Sequence, residues 1–241
     1  MREAGVFVSV DDAGLDCAID EAVAILAREG AIDGISVLAS APGAAGAVAT
    51  AAETGLAVSA HLDCLQLPFL SGGPRPRAAG LFAASSRWVS GIEREWRMQI
   101  ERLERLGASL SGLDSHRHVH HLPALQGLSL RLAAEHGIGL VRAAILPDRH
   151  LRFPAGLVLD MLGRRLARKA ESLGIRTRAS MAGFGASGRV TRRYLERLKI
   201  PPGECELVMH PAVRPVWSDG QPSELALMRT DWFRKWTSAG A

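Results

Sequence analysis

The stretch Gly5-Val6-Phe7-Val8-Ser9-Val10-Asp11-Asp12-Ala13-Gly14 decides the fold. A short run of β-branched and aromatic residues that stops at an Asp-Asp-Ala-Gly turn reads as a buried strand feeding a loop. The residues beyond it change period. Ile19, Ala22, Val23 and Leu26 fall on one helical face, Asp16 is placed to cap the start, and Gly30 supplies the stop.

The same alternation recurs along the chain. Strands are expected at Gly34 to Ala39, Leu56 to Ala60, Leu110 to His116, Ile138 to Ala143, Ile175 to Ala179 and Glu206 to Met209. Helices are expected between them, at about Ala44 to Glu53, from Ile92 to Gly107, and at about Pro123 to His136, Leu157 to Leu173, Thr191 to Leu198 and Glu224 to Trp236. Residues Leu67 to Ser90 carry Pro68, Pro74 and Pro76 and read as a long loop with room for a short turn of helix. The expected fold is therefore α/β, an irregular (β/α) barrel of about seven mainly parallel strands in a single domain over residues 1–241, with its chemistry at the carboxyl ends of the strands.

Bulk composition narrows the function classes. With 47% hydrophobic residues in 241, the chain can build a continuous core. The net charge of +4 comes from basic residues scattered among acidic ones on helix-like segments, a solvated surface more than a nucleic-acid footprint. Cys17, Cys64 and Cys205 are far apart with no CxxC spacing, so neither a zinc knuckle nor a disulfide framework is expected. The opening Met1-Arg2-Glu3-Ala4-Gly5 leads into an apolar run too brief and too acidic at its end for a signal peptide or membrane span, which points to the cytoplasm.

Chemistry-bearing residues gather where strands are expected to end. Asp11 and Asp12 close the first; His61 follows Leu56 to Ala60; His210 follows Leu207-Val208-Met209 and precedes Pro211. The densest signal is Asp114-Ser115-His116-Arg117-His118-Val119-His120-His121, where a strand period of two would set Asp114, His116, His118 and His120 on one face. Neutral imidazole is a common ligand of divalent ions, and a nearby carboxylate orients its second nitrogen. Taken singly, each residue also has a plainer reading, as a helix cap, a structural histidine, a surface histidine cluster or a turn before proline. Together, one carboxylate and two imidazoles leave coordination positions open for water and substrate, the arrangement of hydrolytic metal centres. GxSxG, GxxxxGK[ST] and a strand-following GxGxxG are all absent, so serine-hydrolase, P-loop and dinucleotide readings lack support.

The segments Val10-Asp11-Asp12-Ala13-Gly14, Ala60-His61-Leu62, Asp114 to His120 and Met209-His210-Pro211, in this order and spacing, resemble the YdjC family of carbohydrate deacetylases. The resemblance runs from about Val6 to Pro211. It implies a barrel-like α/β fold and a divalent metal, zinc or magnesium foremost, held by Asp12, His61 and His116. It further implies Asp11 as general base and His210 as general acid, with Asp114, His118 and Arg142 behind the ligands or against the substrate. The implied activity is removal of N-acetyl groups from an amino sugar or oligosaccharide. The alternatives are a deacylase of a lipid-linked sugar or other amide, and a non-catalytic metal- or sugar-binding protein. The implied partner is a small carbohydrate, with a homodimer as the expected assembly. The chain departs from the family pattern at Ala13, usually phenylalanine, and in Leu62-Asp63-Cys64-Leu65.

Overall fold

The apolar run at the start of the chain forms β1 (Val6–Ala13), whose inner residues Val8, Val10 and Ala13 are fully buried. The computed structural model describes residues 5–83, 85–147 and 154–238; the opening Met1 to Ala4 lie outside them. Helix α1 (Cys17–Arg28) starts as expected at Asp16, whose carboxylate accepts from the amide of Ala18 at 2.8 Å, and it ends at Gly30 in the left-handed region. The alternation continues through β2 (Gly34–Val37), α2 (Ala44–Thr54) and β3 (Ala57–Leu62). The stretch expected to be loop holds α3 (Ala78–Ala83) and the beginning of α4 (Ser85–Arg105), so the long helix starts before Ile92. Next come β4 (Leu110–Ser115), α5 (Pro123–Glu135), α6 (Pro154–Ser172), β5 (Ser180–Ala182), α7 (Arg192–Arg197) and β6 (Cys205–Met209). The last expected helix is two, α8 (Gln221–Met228) and α9 (Asp231–Ser238), parted at Arg229 and Thr230.

All six strands are parallel, in the order β4-β3-β2-β1-β6-β5. Strands are not formed at Ile138 to Ala143 or Ile175 to Ala179, but those segments still curl the sheet round. The amide of Arg142 donates to the carbonyl of Leu113 in β4 and the amide of Leu113 to the carbonyl of Leu140, both at 3.0 Å. On its other side the segment meets the chain leading into β5, with Val141 donating to Arg176 at 3.0 Å and Met181 to Ile145 at 2.8 Å. The expectation of an irregular barrel with about seven staves is met, two of them tied by isolated bridges.

Helices pack around this sheet over a main core, from Val10 and Ile35 in the sheet to Leu26, Trp96 and Leu103 in the helices, with a smaller cluster of Ala144, Leu146, Leu159, Met181 and Val208 beside it. Among the described residues no helix is long and apolar enough to cross a membrane. Cys64 and Cys205 are buried and Cys17 is exposed.

One contact ties a helix directly to the stave that carries Arg142. Gly163 of α6 lies against the backbone of Ala144, where an added Cβ would stand 2.4 Å from the carbonyl oxygen. Backbone cannot retreat as a flexible side chain does, so Gly163→Ala is expected to destabilise the protein by about 2 kcal/mol, read as a lower urea midpoint with an unaltered m-value.

Candidate active site

The carboxyl ends of the staves open into a cleft of about 490 Å³, lined by Asp11, Asp12, His61, His116 and His210 among others. All five residues singled out at expected strand ends are thus brought together, from stretches of chain as distant as 12 and 210.

Asp11 and Asp12 reach the cleft together through a departure from strand regularity. Consecutive residues of a regular strand point to opposite faces. The register of β1 against β2 shifts between Val10 and Ala13, and Asp12 sits at φ 63°, in the left-handed region. Both carboxylates are buried rather than serving as helix cap and solvated neighbour.

Asp12 is the meeting point of the imidazoles. Its Oδ1 lies 3.0 Å from Nδ1 of His116 and 3.4 Å from Nε2 of His61. Burial would raise the Asp12 pKa, but the two histidines hold it well below the usual carboxylate range. On the far side of the His61 ring, Nδ1 is hydrogen-bonded to Asp114, whose two oxygens also accept from the Ser36 hydroxyl at 2.8 Å. Burial disfavours a charged His61, yet Asp114, Asp11 and Asp12 outweigh it and hold the ring well above the ordinary imidazole range. With Nδ1 fixed by Asp114, Nε2 is left to face Asp12.

Arg142 lies at the centre of the acidic cluster and is 2% exposed. Its guanidinium grips Asp11 with two bonds of 2.7 and 2.8 Å, and reaches Glu206 at 2.8 Å and Asp114 at 3.1 Å. Burial would lower its pKa, but these three carboxylates drive it well above the usual value. Of the four buried carboxylates, Asp11, Asp114 and Glu206 share the guanidinium of Arg142, Glu206 also has Arg178 at 3.6 Å, and Asp12 meets the two imidazoles. The remaining negative charge and the convergent donors of Asp12, His61 and His116, all within 4.8 Å of one another, suit a divalent cation.

The histidine-rich stretch differs from expectation. The strand stops at Ser115, and residues His116–His121 form a 3₁₀ turn broken by Arg117 and His118, at φ 54° and 55°. Asp114, His116, His118 and His120 therefore do not share a strand face. His120 takes its Nδ1 bond from Ser115 at 2.6 Å and gives Nε2–H to the carbonyl of Arg142 at 2.9 Å. Burial pushes its pKa down to about 3 despite that bond, fixing a neutral tautomer. His121 accepts at Nε2 from the amide of Ala144 at 2.9 Å and donates from Nδ1 to the carbonyl of His118. These two rings brace the turn against the Arg142 stave and are not ligands. His118 lines the cleft 5.8 Å from the Phe184 ring, and burial lowers its pKa well below the ordinary range.

His210 stands just after β6, edge-on to the Trp217 ring at 5.2 Å. Its Nδ1 is buried without a hydrogen-bond partner among the described residues, and burial lowers its pKa, against the pull of Asp12 and Asp11. Its backbone amide donates to Glu224 at 2.7 Å, as does that of Val190.

Sequence reasoning missed Ser36, Glu206, Phe184, Trp217 and Glu224. Glu206 carried a signal, a charge inside the apolar run Cys205 to Met209; the others carried none.

The family described as YdjC-like protein matches residues 5–239. A carbohydrate deacetylase of Brevibacillus brevis is 29% identical over 141 residues, 55% of this chain and 57% of that protein. Another from Oceanobacillus iheyensis is 35% identical over 60 residues, 25% of this chain and 26% of its own. The matches span less than two thirds of the length of these curated relatives. A solved protein of Enterococcus faecalis V583, named for cellobiose-phosphate cleavage, superposes at TM-score 0.73 and 16% identity over 99% of this chain and 95% of that one, a likeness of fold alone.

Two outcomes follow from this arrangement. Asp114→Asn removes the charge behind His61, so the affinity for added Zn²⁺, measured by chelator competition, is expected to fall about 10- to 100-fold. Glu224, buried, is pushed up to about 7, an upward shift by burial that its three backbone amide bonds only partly offset. In the unfolded chain the carboxyl titrates in the ordinary range, so the stabilisation attached to this group is complete at acid pH and is lost as pH rises through about 7. Melting temperatures of wild type and Glu224→Gln, compared between about pH 4 and 8, should show that slope in the wild type and its loss in the variant.

Proposed function

The chain belongs to the YdjC-like family, and from that premise we propose that the cleft removes an N-acetyl group from an acetylated amino sugar or oligosaccharide, around a divalent metal held by Asp12, His61 and His116. The observation that carries this reading is the approach of two imidazoles to one Asp12 oxygen, at 3.0 and 3.4 Å, in a cleft that also holds Asp11 and His210. The names of the Brevibacillus and Oceanobacillus relatives support it.

When bound, a zinc or magnesium ion would supply Lewis-acid polarisation of the acetamide carbonyl and of a water, and charge stabilisation for the tetrahedral oxyanion. The chain's own residues supply the proton transfers. Asp11 takes a proton from the attacking water as the water oxygen bonds to the carbonyl carbon; Arg142, gripping both Asp11 oxygens, aims that carboxylate while each oxygen keeps a lone pair free. As the C–N bond breaks, its electron pair stays on nitrogen, and His210 gives that nitrogen a proton, releasing acetate and a free amine. The Nδ1 of His210, buried and without a hydrogen-bond partner among the described residues, and the nearness of Asp12 and Asp11 support a proton-donor role, the two carboxylates opposing the burial that lowers the ring's pKa. A protein that only held a metal would need neither Asp11 nor His210.

Acetate release from N-acetylated sugars tests the reading. Chelation is expected to abolish it and Zn²⁺ or another divalent ion to restore it. Asp11→Asn should lower kcat by about 10²- to 10⁴-fold while sugar binding persists. The bell-shaped pH profile of the wild type should lose its alkaline limb in His210→Gln. Tight sugar binding with no acetate from any substrate would leave a binding protein.

A further inference from the structure

We propose that Trp217 is a specificity-determining platform, on which the apolar face of a pyranose ring lies while its N-acetyl group enters the centre; this rests on the deacetylation reading above. The indole is 44% exposed although it belongs to the cleft wall. A tryptophan serving only to fill the core would be buried, and here the exposed ring surface faces the space where substrate must pass.

The ring is held there by a polar frame. Gln221, fully buried on the first turn of α8, accepts at one oxygen from the amides of Val216, Trp217 and Ser218, at 2.9, 3.0 and 3.2 Å. The Ser218 hydroxyl donates to the carbonyl of Gly188 at 3.0 Å. Gly188, at φ 66°, lets the indole lie against backbone; a Cβ there would stand 2.9 Å from two ring carbons. Such a frame fixes the ring before substrate arrives, so little entropy is lost on binding.

Position makes the platform selective. The ring meets the His210 ring at 81° with centroids 5.2 Å apart, next to the group assigned to the leaving amine. Phe184, also in the wall, contacts His118 at 5.8 Å and bounds the same cleft. A sugar ring whose axial C–H bonds gather on one face meets an aromatic surface there, and a linear or branched polar amide does not.

The test uses N,N′-diacetylchitobiose as probe, in acetate-release kinetics and in calorimetric binding to the Asp11→Asn protein, with Trp217→Ala, Trp217→Phe and Gly188→Ala. Trp217→Ala is expected to raise KM and the calorimetric Kd about tenfold, with a smaller loss in kcat, and Trp217→Phe to recover most of the affinity. Gly188→Ala, which strains a positive φ and crowds both the indole and the Cβ of Ser218, should raise KM in the same direction. Equal Kd for Trp217, Ala and Phe overturns the platform even if acetate is released. Kd that depends on Trp217 with no acetate release sustains the platform and removes the deacetylation reading. No measurable binding of the sugar to any variant overturns the platform outright.

Discussion

One buried guanidinium holds the site in shape. Arg142 is almost wholly removed from water and can remain charged there only because Asp11, Asp114 and Glu206 surround it. The dependence runs both ways, since those carboxylates could not be packed so closely without it. Through Asp11 it aims the proposed base; through Asp114 it supports the group that orients His61; through its carbonyl it fixes the tautomer of His120, which braces the turn carrying His116. A lysine would supply the charge but not the planar fork that reaches several carboxylates at once. Even with Arg142 and Arg178 present the cluster retains an excess of negative charge, and that excess is what makes a divalent cation a fitting occupant.

Much of this was legible in the chain. The run Val6 to Val10 and the helical period after it gave the βα alternation, and histidine or aspartate at the ends of four apolar runs marked one end of a barrel. Other features depend on tertiary contacts that no local pattern records. The histidine-rich stretch was open to a strand reading because its alternate spacing has period two, yet the left-handed conformations of Arg117 and His118 are imposed by His120 and His121 bonding to a distant stave. The segment 138 to 143 is apolar enough for a strand but forms only bridges, Val141 to Leu113 and Leu140 to Arg176. Ser36 looked like any strand serine; only the fold brings it to Asp114.

The mouth of the cleft follows a second rule. Buried Glu and Gln side chains on helices act as acceptors for loop amides, in place of regular secondary structure. On α8, Gln221 gathers residues 216 to 218, and Glu224 gathers Val190 and His210. On α4, Glu95 takes the amides of Leu70 and Ser71, while Gln99 grips both backbone groups of Asp63, whose own carboxylate accepts from Leu65, Gln66 and Leu67. Gln66 and Trp217, on opposite sequence margins of the cleft wall, are thereby held by helices rather than by the sheet. Loops anchored this way can change sequence at their tips while their backbone stays in register with Asp12, His61 and His116.

The closure of the barrel carries a consequence of its own. Among the described residues six strands are laced by ladders, but the stave bearing Arg142 is stitched to the next by one isolated bridge, Leu140 with Arg176, and by the bond from Met181 to Ile145. Cooperative opening starts where lacing is thinnest, and among the described residues that is this seam. Because the seam runs beside the arginine at the heart of the charge cluster, filling the centre with a cation and a sugar would tighten the whole cylinder from its weakest join.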